Sequence, residues 1–67
     1  MDYRKTIKRR LKDLHMTQKQ LAEKLGMSEN SITSFMTGKA YVSFVNFVKI
    51  MDILEMQILF IPNEDLK

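Results

Sequence analysis

With 67 residues, 45% hydrophobic and 28% charged, the chain makes one small globular domain whose lone core is of marginal size. Cysteine is absent, which excludes disulfides, thiolate zinc sites and cysteine nucleophiles, and the single histidine, His15, has no neighbouring spacing that would build a metal site. The net charge of +3 is divided: Arg4, Lys5, Lys8, Arg9, Arg10, Lys12, Lys19 and Lys24 precede Gly26 against Asp2, Asp13 and Glu23, whereas Asp52, Glu55, Glu64 and Asp65 face only Lys67 at the end. A basic front and an acidic tail point to an anionic partner at one end, with a merely solvated helix face as the alternative.

Scarce Gly and Pro together with six Met favour helices over a turn-rich sandwich. No apolar run approaches the roughly 20 residues of a membrane span, and charges fill the N-terminus where a secretory leader would be apolar. A soluble, cytoplasmic chain is expected.

In the first segment Tyr3, Ile7, Leu11 and Leu14 recur at helical spacing, and the basic residues take the other faces. This helix should end near Leu14. Thr17-Gln18-Lys19-Gln20 fits a capping box, in which the Thr hydroxyl accepts from the third helical amide and the Gln side chain reciprocates. Leu21, Ala22 and Leu25 form the stripe behind it. Gly26 stops the second helix in the left-handed conformation, and Ser28 caps a third only two residues later. So short a turn makes the two helices cross steeply.

The third helix is predicted from Glu29 to about Met36. At ~100° per residue, Ile32, Phe35 and Met36 share one arc, while Asn30, Thr33, Ser34 and Thr37 lie opposite. That outward face is short, uncharged and rich in hydrogen-bonding groups. Solvated faces usually carry Lys, Glu and Arg, the better helix formers, so something other than helix propensity has chosen these residues.

Thr37-Gly38-Lys39 closes the third helix. Ser43 then caps a fourth over about Phe44 to Leu54, with Phe44, Phe47, Val48, Met51 and Leu54 as its core stripe and Lys49 and Asp52 outward. Met56 to Ile61 is apolar on both alternations and is closed by Pro62. In an extended chain Met56, Ile58 and Phe60 fall on one side and Gln57, Leu59 and Ile61 on the other. A chain this small covers only one side, so the other invites a strand from a second copy. The alternative is a fourth helix continuing to Ile61, because Glu55 is a good helix former.

The run Thr17-Gln18-Lys19-Gln20-Leu21-Ala22-Glu23-Lys24-Leu25-Gly26-Met27-Ser28, continued by Ile32-Thr33-Ser34-Phe35, resembles the Cro and phage-repressor helix-turn-helix family. Leu21, Ala22, Leu25, Gly26, Ile32 and Phe35 are all in register, the motif covers 18–37, and compatible helices extend the likeness to about residues 3–55. The resemblance implies a mainly α fold: a lambda-repressor-like bundle of about four helices over 1–55, with 56–67 as a strand and tail that join a dimer. It also implies a DNA-binding surface. Gln18 would bond a phosphate, and Ser28, Glu29, Asn30, Thr33, Ser34 and Thr37 would meet DNA from the recognition helix, near whose N-terminal end base edges are read. Lys39 would meet the backbone from the following loop. Asn30 suits adenine, Glu29 a cytosine amine and Thr33 a thymine methyl; alternatively, Glu29 is simply an acid at a positive helix end. Arg4, Lys5, Lys8 and Arg9 are either solubility charges or long-range attractors of DNA.

Three departures from the family pattern involve four positions. Leu11 and Met36 stand where an Arg–Glu pair is common, and an apolar pair can replace a buried ion pair without penalty. Val42 stands where Pro often precedes the serine cap, and Glu55 where Gly often ends the fourth helix.

The reading implied is a sequence-specific repressor that binds a palindromic operator as a homodimer joined through Met56, Ile58, Leu59, Phe60 and Ile61. Its control would come through its concentration or through a protein that captures it, such as an anti-repressor. Two other readings stand beside it: an antitoxin whose tail holds a toxin while the same helices repress the operon, and an interaction domain that reuses the fold. No base–nucleophile pair or phosphate-cradling loop suggests an enzyme, and no cofactor or metal is implied.

Overall fold

A computed structural model describes residues 3–59 and 62. Four helices follow in order: α1 Tyr3–Asp13, α2 Gln18–Leu25, α3 Glu29–Met36 and α4 Phe44–Ile53. Helix α2 packs on both α3 and α4 and so lies at the middle of the bundle. The core consists of Ile7 and Leu11 from α1, Leu21 and Ala22 from α2, Ile32 and Phe35 from α3, and Ile50, Met51 and Leu54 from the end of α4. Leu14, Leu25 and Met36 are half-buried against it.

The helix starts follow the capping residues. Thr17 Oγ1 accepts from the Gln20 amide at 3.0 Å while Gln20 Oε1 accepts from the Thr17 amide at 2.9 Å, which completes the capping box. Ser28 and Ser43 accept from the Ser31 and Asn46 amides in the same way.

All four helix ends share one hydrogen-bond pattern. An amide two or three residues past the end reaches back five residues, and the amide before it reaches back three, through a residue in the left-handed conformation. At α4 these bonds are Met56 N–H to Met51 O at 2.8 Å and Glu55 N–H to Asp52 O at 3.1 Å. Gly26 and Gly38 supply the left-handed residue after α2 and α3. After α1 and α4 it is His15 at φ 54° and Glu55 at φ 56°, where a Cβ is strained. Glu55 therefore does not carry α4 on to Ile61; it ends the helix in the conformation that Gly would favour. Replacing Glu55 with glycine should stabilise the fold by about 0.5–1 kcal/mol, read as a raised urea midpoint. The ion pair removed, Arg10–Glu55 at 3.7 Å with the Glu side chain largely in solvent, is too exposed to offset that gain. A lowered midpoint would show that Glu55 carries no strain.

Two expectations need correction. Phe44 and Val48 are not core residues: they are 57% and 44% exposed, and Ile50, at 0%, takes the inward place. Apolar residues occur almost all round α4, so periodicity alone did not identify the inward arc. Packing against α2 and the rest of the core selects Phe47, Ile50, Met51 and Leu54, the i, i+3, i+4, i+7 positions of one helical face. The second correction concerns the tail. No strand forms among the described residues, and Met56 to Leu59 run without a ladder, because a single strand has no neighbour in this chain to take its amides. The alternation of faces does hold: Met56 and Ile58 are half-buried against the core, while Gln57 and Leu59 are exposed. Phe60 and Ile61 lie outside the described residues.

Candidate nucleic-acid interface

Helix α3 buries Ile32 and Phe35 and turns Glu29, Asn30, Ser31, Thr33 and Thr37 outward, with Ser34 half-buried at the margin. Its N-terminus is held by Ser28, whose Oγ accepts from the Ser31 amide at 3.2 Å and lies 2.8 Å from Ser31 Oγ. Its C-terminus is held from three directions. The Ser34 carbonyl accepts from the amides of Lys39 (2.8 Å) and Ala40 (3.2 Å) and from Thr37 Oγ1 (3.2 Å). Thr37 Oγ1 also lies 2.9 Å from the Thr33 carbonyl. The Ser28 and Thr37 hydroxyls are thus engaged with the helix itself, whereas Asn30 and Thr33 are exposed and make no side-chain hydrogen bond among the described residues.

Arg4 supplies the third direction: Nε donates to the Phe35 carbonyl at 2.8 Å, and the guanidinium lies 4.9 Å from the Tyr3 ring centroid and 5.6 Å from that of Phe35. The Tyr3 ring is 6.1 Å from Phe35 and meets Phe47 edge-on at 5.6 Å, so one aromatic cluster ties α1, α3 and α4 together. Arg10 does for α4 what Arg4 does for α3, with Nε donating to the Leu54 carbonyl at 2.8 Å. Neither arginine is merely a solubility charge. Their spacing carried the signal: Arg4 is three residues before Ile7 and seven before Leu11, and Arg10 is three after Ile7 and four before Leu14, in phase with the apolar stripe.

The remaining expected contact residues frame this helix. Gln18 is half-buried at the first position of α2, and the Lys39 side chain is exposed just beyond the α3 terminus, where its own amide bond to Ser34 fixes the loop. Asn30 and Ser34 share a groove of about 310 Å³ with Met27, Ser31, Ala40 and Tyr41. Ser31 and Tyr41 went unnoticed in the sequence, although Tyr41 is 88% exposed and follows Lys39 by two residues. His15, in the turn after α1, is exposed. Among the described residues no three His, Asp or Glu side chains gather as a metal site, and no helix is long and apolar enough to cross a membrane.

The face has the dimensions and chemistry of a surface that enters a groove: one two-turn helix, small polar side chains, rigid ends and a cation at its edge. A family model described as a Cro/C1-type HTH DNA-binding domain matches residues 6–59. The match spans all but the first turn of α1, the other three helices and the start of the tail. Comparison with curated proteins and with solved structures gives no significant match.

Proposed function

Because the chain belongs to the Cro/C1-type helix-turn-helix DNA-binding family, we propose that it is a transcriptional repressor that reads an operator with α3 and acts as a homodimer. DNA binding and transcriptional regulation follow from the family. The operator, the direction of control and the stoichiometry are the proposal. Residues 1–55 serve as the reading unit and 56–67 contribute to joining two copies. The observation that carries the reading is the outward face of α3, clamped at both ends and polar without being charged beyond Glu29.

Each residue then has a task. Asn30 and Thr33 are free to meet base edges, and Glu29 reaches the same groove from the first turn. Ser28 and Thr37 hold the helix at the depth where those contacts are made, with Ser34 at the margin. Gln18 and Lys39 bond phosphates on either side and set register without reading sequence. Repression needs no further chemistry, since an occupied operator excludes polymerase.

Affinity for a duplex should fall steeply with salt, because phosphate contacts release counterions. Lys39→Ala should make the slope of log affinity against log salt shallower by about one unit, with sequence preference unchanged. An unchanged slope would remove Lys39 from the phosphate contacts, and binding without salt dependence would refute the reading.

A further inference from the structure

Tyr41 is the most exposed of the large hydrophobic side chains, and among the described residues it makes no ring contact or side-chain hydrogen bond. A lone exposed ring is ordinary on a protein surface, but this one walls the groove of about 310 Å³ beside the recognition face. One wall is α3 itself, through Asn30, Ser31 and Ser34. The other is Met27 from the turn before α3, with Ala40 and Tyr41 from the loop after it. Gly38, at φ 82°, turns that loop back, and the Ser34 carbonyl fixes it by accepting from the Lys39 and Ala40 amides at 2.8 and 3.2 Å. The groove is therefore built in advance, polar along α3 and mostly carbon along the loop. Its place in the surface is equally defined. Asn30, on one wall, is the residue assigned to a base edge, and Lys39, assigned to a phosphate, directly precedes the other wall.

We propose that this groove receives one deoxyribose of the bound duplex, with the Tyr41 ring packed on the sugar carbons, and that it thereby discriminates against ribose. In a nucleotide the sugar is the link between base and phosphate. The surface between a base contact at Asn30 and a phosphate contact at Lys39 is where a sugar comes to lie. Deoxyribose presents a methylene at C2′, which suits the face of the Tyr41 ring, the Ala40 methyl and the Met27 side chain. Ribose carries a hydroxyl on the same carbon, both a donor and an acceptor, and these three groups give it no strong partner. A hydroxyl pressed against them without a hydrogen bond loses its water and gains nothing in return. Tyr41 is thus a specificity-determining residue for the sugar, as Asn30 and Thr33 are for the bases. The inference rests on the DNA-binding reading and adds a subsite to it. It concerns one chain on one half-site, so it does not depend on how two copies join.

The probe is the duplex that the full chain selects from a random pool, resynthesised with a single ribonucleotide at each position in turn. A ribonucleotide should weaken wild-type binding about 5-fold at one position of the recognised half-site and little elsewhere. Tyr41→Ala should bind the all-deoxy duplex about 5-fold more weakly and lose the penalty at that position. Its salt slope should stay as in the wild type, because a neutral side chain releases no counterion. Tyr41→Phe should keep both the affinity and the penalty, since it keeps the ring. Tyr41 is 88% exposed, so both variants should retain the helical circular dichroism, and the scan on the wild type decides without them. A flat scan would overturn the proposal, as would a penalty that survives Tyr41→Ala. Tyr41→Phe binding as weakly as Tyr41→Ala would also overturn it, by making the hydroxyl a phosphate ligand. Each of these failures occurs on a duplex the chain still binds, whereas loss of binding to the all-deoxy duplex itself would sink the DNA-binding reading and the subsite together.

Discussion

Replacing Leu11 with alanine will cost about 2–5 kcal/mol of folding stability, the range for a buried leucine whose cavity cannot collapse. Leu11 is 4% exposed, and with Ile7 it is all that α1 contributes to the fully buried core. Domains of this kind have only about 5–15 kcal/mol in total, and a chain this short lies at the low end. The loss should therefore approach unfolding at room temperature. It should also reach the recognition surface, because α1 carries Arg4, whose bond to the Phe35 carbonyl holds the end of α3. Urea denaturation of the variant measures the loss. A midpoint within noise of the wild type would mean that α1 is not a structural part of the bundle.

Asn30→Ala should produce the largest change in recognition. Asn30 is exposed in the first turn of α3, makes no side-chain hydrogen bond among the described residues, and offers a donor and an acceptor on one planar amide. Such a group pairs bidentately with adenine, and losing it should cost about 1–3 kcal/mol on the preferred duplex. The loss should be confined to one base pair of each half-site, while the salt slope stays as in the wild type, since a neutral side chain releases no counterion. Titration against duplexes substituted at single positions separates the cases. Uniform weakening on every sequence would make Asn30 a positioning residue and move base reading elsewhere on α3.

Much of this was legible in the residues, for identifiable reasons. Thr17, Ser28 and Ser43 announced three helix starts because a side-chain oxygen ahead of a helical apolar pattern has few other uses. The polar face of α3 was visible because its composition opposes helix propensity. The errors arose where local pattern is degenerate. Helix α4 is apolar on most sides, so only its contact with α2 could show that Ile50 faces inward and Phe44 outward. The left-handed turn at Glu55 has no sequence signature, because the residue that favours it is absent. Arg4 and Arg10 were hidden by their type: their charge suggested solvent, while their phase with Ile7 placed them over the ends of α3 and α4. The strand expected over Met56–Ile61 was a statement about two chains drawn from the pattern of one.

The central claim is that α3 reads a specific sequence and that two copies do so together. Selection of bound duplexes from a random pool by the purified chain tests both at once. The account predicts two inverted half-sites about one helical turn, ~34 Å, apart, or a whole multiple of that, with adenine enriched at one symmetric position. A pool that stays random at moderate salt, where nonspecific attraction is screened, would contradict it.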